Sequence, residues 1–162
     1  MFIAIVLAVT LQLGNGPGVA PATWHSASEA ALAAAHHYTI IADMLSSEVG
    51  VAIIYDPENH AYTYSRNLHF GDYAITVDTR DPKDVPSGFQ YVGTWHAHAM
   101  PGFDGLEGHI ATIQQYPSII IWTSVQGYVL EQFWDATLNR GRGGVHAPVN
   151  ICPSNGSCVP FP

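Results

Sequence analysis

Three histidines in one stretch of the sequence have the residue type and spacing of a metal site. His96 and His98 stand two residues apart at the end of a predicted strand. Side chains two apart on a strand point to the same face. Two imidazoles on one face can bind one metal ion, and imidazole nitrogens suit tetrahedral zinc. Because a catalytic zinc site uses three protein ligands and keeps a fourth position for water, a third ligand is required.

The loop and helix after this pair contain three candidates for the third ligand: Asp104, Glu107 and His109. His109 is predicted to lie about one turn inside a helix, where its side chain leans back toward the preceding loop. Asp104 is the alternative ligand, and His109 then serves as an acid–base group or a substrate contact. The sequence therefore predicts a Zn²⁺ site of His96, His98 and His109, with Asp104 as the open alternative.

A metal site that hydrolyses amides also needs a general base. The metal lowers the pKa of its water to about 7, and a carboxylate takes the proton and passes it to the leaving nitrogen. Glu48 is the candidate, because it lies at the entry to the first apolar strand. In the functional interpretation this strand lies beside the His96 strand and Glu48 faces the metal. The alternative is a solvated loop glutamate.

The predicted elements that position these residues alternate between helices and strands. Ser26 and Glu29 form a capping-box pattern before an alanine-rich run, which indicates a helix. Apolar or alternating runs predict strands, and Asp104 with Glu107 predicts the start of a second helix. The expected strands cover 50–55, 61–65, 89–96, 118–124 and 128–134, with the second helix over 105–116. This order favours an α/β class, built as α+β layers.

Composition excludes several classes of protein. The chain has 162 residues, enough for one domain or for one domain plus a signal segment. Five Lys and Arg against thirteen Asp and Glu give a net charge of −8. A nucleic-acid partner requires a basic face, so none is expected, and neither is an anionic membrane surface. A hydrophobic content of 48% excludes a disordered chain.

The N-terminal segment has the features of a signal peptide. Residues 2–13 form an apolar run that is too short to span a bilayer, and a small-x-small pattern follows at 20–22. Residues 1–22 are therefore predicted to be a signal peptide, and the mature chain to be secreted or periplasmic without stable membrane association. The alternatives are a buried N-terminal strand and a truncated gene start.

The C-terminal segment is rich in Gly and Pro and is predicted to be a surface tail over 139–162, which leaves 23–138 as the domain. Cys152 and Cys158 bracket a short loop in this tail that a disulfide can close. Export to an oxidising compartment agrees with that bond. Two free thiols are the alternative.

Taken together, residues 28–135 resemble the JAB/MPN metalloprotease family, whose motif is often called JAMM. The family pattern is a Glu on an early strand, a His-x-His at the end of a later strand, and an Asp that completes the zinc ligands. Glu48, His96 and His98 match, and the ten residues 99–108 separate the pair from His109 at the Asp position. A family Ser lies three residues before that Asp, where this chain has Leu106. Small bacterial secreted or toxin-associated members look most similar.

The resemblance implies a curved mixed sheet flanked by helices, with an MPN-like, deaminase-like architecture. It implies a Zn²⁺-dependent hydrolase in which Glu48 is catalytic and the substrate is a peptide or protein. Since the family Ser stabilises the developing oxyanion, Leu106 at its position points to a substitute donor: a backbone N–H, Thr94 or Ser124. The alternative function is a catalytically inactive MPN-like module that binds metal or another protein.

Overall fold

The computed structural model describes residue 20 and residues 22–71, 84–98, 106–125 and 128–145, without side-chain detail at 43, 106–108, 144 and 145. Within these residues, two helices flank one strand-rich sheet. The helices are α1 (Ala27–Leu45) and α2 (Leu106–Gln115). The strands are β1 (Glu48–Asp56), β2 (Ala61–Tyr64), β3 (His69–Gly71), β4 (Gln90–Ala97), β5 (Ile120–Val125), β6 (Tyr128–Asp135) and β7 (Arg140–Val145). The predicted mixed class, helices with a layered sheet, is confirmed.

The sheet has seven strands in the order β2-β1-β4-β5-β6-β7, and β3 pairs with β1. Strands β4 and β5 run parallel, and the chain crosses between them through α2. The other pairs are antiparallel. Because β1 pairs with β4 along most of its length, the strand that begins at Glu48 lies directly beside the strand that carries His96 and His98.

Helix α1 begins as the sequence predicts. The Ser26 hydroxyl accepts the Glu29 N–H at 3.2 Å, and the Glu29 carboxylate accepts the Ser26 N–H at 3.0 Å. This capping box satisfies N–H groups that a helix start leaves without intrahelical partners. The helix then packs a face of fully buried alanines against β1 and β4. Small side chains at these positions bring the helix close to the sheet.

The two faces of the sheet differ in content. The face under α1 is an apolar core that includes Val49, Val51, Trp95 and Trp122, the last two 0% and 1% exposed. Both tryptophans are therefore core residues. The opposite face carries α2 over β5, β6 and β7, with Ile113 fully buried. Alternation along β4 turns His96 to this second face, the α2 face.

Three sequence-based boundaries differ from the structure. The predicted tail from residue 139 is wrong for 140–145, which form β7 against β6. Cross-strand pairing outweighs the low strand propensity of its glycines. Strand β3 was not predicted, because three residues are too few to show a period. Glu48 is not a loop residue before the strand; it is the first residue of β1.

Several expectations fall outside the described residues: Asp104, the pair Cys152 and Cys158, and the signal segment except for residues 20 and 22. Ala20 and Ala22 lie against β2. The Ala20 N–H donates to the Tyr64 carbonyl at 2.9 Å, and the Thr63 hydroxyl donates to the Ala22 carbonyl at 3.0 Å. Cleavage after Ala22 would remove these contacts. Neither described helix combines the length and apolar character needed to cross a bilayer.

Candidate metal centre

The carboxyl end of β4 presents two histidines to the α2 face. His96 pairs with Gly50 of β1 on one side and with Thr123 of β5 on the other, so its strand is held on both edges. The His98 N–H donates to the Ser124 carbonyl at 3.2 Å, which extends this anchoring past the end of the strand. The two imidazoles stack with centroids 5.2 Å apart. The two side chains therefore lie next to each other on one face, as the sequence predicts.

Helix α2 brings the third histidine to the same place. His109 is the fourth residue of α2, and its ring lies 4.8 Å from that of His96 and 5.8 Å from that of His98, centroid to centroid. One nitrogen from each of the three rings lies within 4.8 Å of the others. Among the described residues, this triad is the group of His, Cys, Asp or Glu side chains with metal-binding geometry.

The donor set of the triad suits a divalent transition metal. A tetrahedral ion with bonds of about 2.0–2.1 Å needs nitrogens about 3.3 Å apart. The nitrogens of the triad lie within 4.8 Å of one another, so the rings would have to move closer together around a bound ion. Three imidazoles leave a fourth position for water, which is the arrangement of a catalytic zinc site. The residues present therefore fit zinc or a similar ion.

Burial favours the neutral form of the three imidazoles. Burial is the main cause that lowers the pKa of each ring, and for His96, which is 6% exposed, the pKa lies well below its ordinary value. The neighbouring histidines lower the pKa of His96 and His98 further. Only a neutral imidazole has a lone pair to give to a metal. The lowered pKa values therefore favour the form of the rings that binds a metal.

We expect the metal-free protein to lose stability as the pH falls through about 6.5, the ordinary pKa of histidine. Below that value the three histidines bind protons in the unfolded chain but not in the folded triad, so the free energy of unfolding decreases. Above it the rings are neutral in both states and the effect vanishes. Urea unfolding with chelator present, at about pH 7.5 and about pH 5.5, measures this change. If the urea midpoint of His96→Asn fell by as much between these two pH values as that of the wild type, the pH dependence would not come from His96.

Gln132 of β6 fixes the orientation of His109. The Gln132 Oε1 atom lies 2.8 Å from His109 Nδ1, and Thr123 Oγ1 lies 3.5 Å from the same nitrogen. Because an amide oxygen only accepts hydrogen bonds, Nδ1 carries the proton and Nε2 keeps its lone pair. The hydrogen bond to Gln132 also partly opposes the lowering of the His109 pKa by burial. The described geometry thus leaves Nε2 of His109 free for a metal.

Gln132→Leu is expected to weaken metal binding about 10–100-fold, the usual cost of losing such a supporting partner. Gln132→Glu keeps an acceptor at Nδ1 and should retain most of the affinity. A competition titration with a chromogenic zinc chelator measures both. Gln115→Leu, an exposed position on α2, is the control. Equal affinities for Gln132→Leu and the control would refute the role of Gln132.

Glu48 lies on the same face as the histidine pair. Gly50 of β1 is paired with His96 of β4, so these two residues share a face of the sheet. Glu48 is two residues before Gly50 on β1, so its side chain lies on the same face as that of His96. Extended by one residue beyond the Val49–Ala97 pair, the register places Glu48 beside His98. Glu48 is 8% exposed, so it is not a solvated loop glutamate. Glu48 is therefore a buried glutamate on the face of the sheet that carries the triad.

Of the two side-chain hydroxyls considered as oxyanion donors, Ser124 faces away from the triad and Thr94 already donates to a backbone carbonyl. Ser124 Oγ accepts the Trp95 indole N–H at 2.9 Å, which turns it to the α1 face, away from the triad. The Thr94 hydroxyl shares the face of His96 but donates to the Val51 carbonyl at 3.2 Å. Gln132 and Thr123 were not identified from the sequence. The polar residues that alternate along the 128–134 run are the signal by which Gln132 could have been found.

Comparisons with protein-family models, with curated proteins and with solved structures found no match. The resemblance to the JAB/MPN family therefore rests on the motif residues and their spacing. Fold alone does not imply function, so the function has to be argued from the site.

Proposed function

We propose that the chain is a zinc-dependent hydrolase of the JAB/MPN type that cleaves a peptide or isopeptide bond by metal-activated water. The observation that carries the proposal is the convergence of His96, His98 and His109 on one face, with Glu48 on the same face. Three neutral ligands and one adjacent carboxylate are the parts that metal-assisted amide hydrolysis requires.

In this proposal each residue has a separate task. His96, His98 and His109 would hold the zinc ion, which would supply a water of lowered pKa and a Lewis acid for the scissile carbonyl. Glu48 takes the proton of the attacking water on its carboxylate and delivers it to the leaving nitrogen. Gln132 holds His109 with its Nε2 lone pair toward the site. The histidine in place of the family Asp keeps the ligand set neutral, which makes the ion a stronger Lewis acid.

The arrangement of the sheet supports the finer architecture implied by the resemblance. Strand β1, which begins with Glu48, lies directly beside β4, and the crossover helix α2 follows the histidine pair. Helices lie on both faces. An MPN-like architecture is therefore part of the proposal, together with a secreted or periplasmic location and a peptide or protein substrate.

The second candidate function is an inactive MPN-like module that binds metal or a protein partner. Leu106 at the position of the family Ser favours it, because a side-chain hydroxyl for the oxyanion is missing there. Ser124 faces the other side of the sheet and does not replace it. Activity itself therefore has to be measured.

The test is cleavage of a peptide library by the full chain loaded with one equivalent of zinc. New peptide termini, detected by mass spectrometry, should appear with the loaded protein, disappear with chelator and return when zinc is added back. His96→Ala serves as the matched inactive control. A fully loaded protein that cleaves no peptide or isopeptide would contradict the hydrolase and favour the inactive module.

A further inference from the structure

A second polar cluster lies on the β1–β3 side of the sheet. The Asp84 Oδ1 atom lies 2.6 Å from His69 Nε2 and accepts the Asn67 amide N–H at 2.8 Å. Asp84 is 0% exposed, and its described ion pair is with His69, whose side chain is 25% exposed. Among the described residues, no Lys or Arg forms an ion pair with Asp84. A buried carboxylate is thus held by one imidazole and one amide.

This cluster also contains buried polar atoms without a partner. Among the described residues, Asp84 Oδ2 and Ser65 Oγ have no hydrogen-bond partner, although both are buried. The Ser65 N–H donates to the Ala52 carbonyl at 2.9 Å, and Val85, next to Asp84, packs against the buried pair Ala52 and Ile54. Both unpartnered atoms therefore belong to residues at or beside residues that contact β1. Buried polar groups are normally satisfied by protein, by water or by a ligand.

The register connects this cluster to the histidine triad. His69 pairs with Gly50, and Gly50 pairs with His96, so the three residues form one row across β3, β1 and β4. Gly50 puts no side chain between the two histidines. Two interstrand spacings separate His69 from His96 by about 10 Å. That distance equals about three residues of extended peptide.

We propose that Ser65, Asn67, His69 and Asp84 form a subsite that binds a free amino group of the substrate held at the triad. This inference rests on the proposed function and names its substrate class: a peptide or isopeptide with an ammonium about 10 Å from the scissile carbonyl. An ammonium has donors only. In this subsite the ammonium donates hydrogen bonds to Asp84 Oδ2 and Ser65 Oγ, the two atoms without a partner among the described residues. The net charge of −8 favours the approach of such a cation.

The test uses the full chain loaded with Co²⁺, whose visible absorption reports ligands that reach the metal. Two probes are titrated: triglycine hydroxamate with a free amine, and its N-acetylated form. The free amine lies about three residues from the hydroxamate. We expect the wild type to bind the free-amine probe at least about tenfold more tightly, which corresponds to 1.4 kcal/mol.

Asp84→Asn and Ser65→Ala should each reduce this preference and leave the affinity for the acetylated probe unchanged. Glu58→Gln, which removes one exposed charge elsewhere, should keep it and controls for net charge. Equal affinity of the wild type for both probes would overturn the subsite and leave an ordered water as the partner of these atoms. That comparison needs no variant, so it stands if Asp84→Asn fails to fold.

The outcomes separate this inference from the proposed function. A preference for the free amine that persists in Asp84→Asn would overturn the subsite while the metal centre stands. Failure of the acetylated probe to change the Co²⁺ spectrum would contradict an open metal centre and remove the basis of this inference too. A clear amine preference in a protein that cleaves no peptide would support the subsite and refute the hydrolase.

Discussion

Replacing Glu48 with glutamine is expected to lower the rate of peptide cleavage by about 10²–10⁴-fold while zinc stays bound. Glutamine has nearly the same shape but no basic carboxylate, so it cannot take the proton of the attacking water. The ligands His96, His98 and His109 are unchanged, so zinc content should remain as in the wild type. Cleavage rate and zinc content are measured on the same preparations.

Glu58→Gln is the matched control for this substitution. Glu58 is an exposed glutamate in the turn between β1 and β2, so its loss changes the net charge equally. It should leave the rate unchanged. Full activity in Glu48→Gln would remove Glu48 from its catalytic role. Loss of zinc together with activity would instead make Glu48 part of the metal binding itself.

Replacing His109 with alanine is expected to weaken zinc binding by more than the approximately 100-fold that loss of a supporting partner costs. His109 is one of the three rings whose nitrogens lie together, and its removal leaves two ligands. Asp104→Ala should have little effect on zinc affinity, since the triad is complete without it. Competition titrations against a chelator of known affinity measure both variants.

His36→Ala is the control for histidine loss, because His36 is exposed on α1. It should bind zinc like the wild type. A large loss of affinity in Asp104→Ala, with little change in His109→Ala, would assign the third ligand to Asp104. His109 would then be an acid–base group or a substrate contact, as the alternative interpretation has it.

Local signals in the sequence were sufficient for the parts of the site that depend on neighbouring residues. The capping box of Ser26 and Glu29 fixes the start of α1, and alternation along β4 puts His96 and His98 on one face. The spacing to His109 agrees with its place in the first turn or so of α2, which begins at Leu106. Each of these relations spans few residues, so periodicity and turn chemistry reveal it.

Relations between distant strands were not readable in this way. Gln132 reaches His109 only because β6 pairs with β5 and α2 crosses over both. His69 contacts Asp84, which lies 15 residues further along the sequence, and β3 has three residues, too few for a periodic signal. The glycines of β7 indicated a surface tail in the sequence. In the structure, pairing with β6 stabilises this segment as a strand. Strand partners are set by packing across the whole sheet, which propensity alone does not encode.

Elemental mass spectrometry of the full chain measures whether the triad binds a metal ion. The protein is purified without chelator, in parallel with the double variant His96→Ala/His98→Ala. We expect about one zinc per chain in the wild type and none in the double variant. A folded wild type without stoichiometric metal, or a double variant that retains it, would rule out a metal site at the triad.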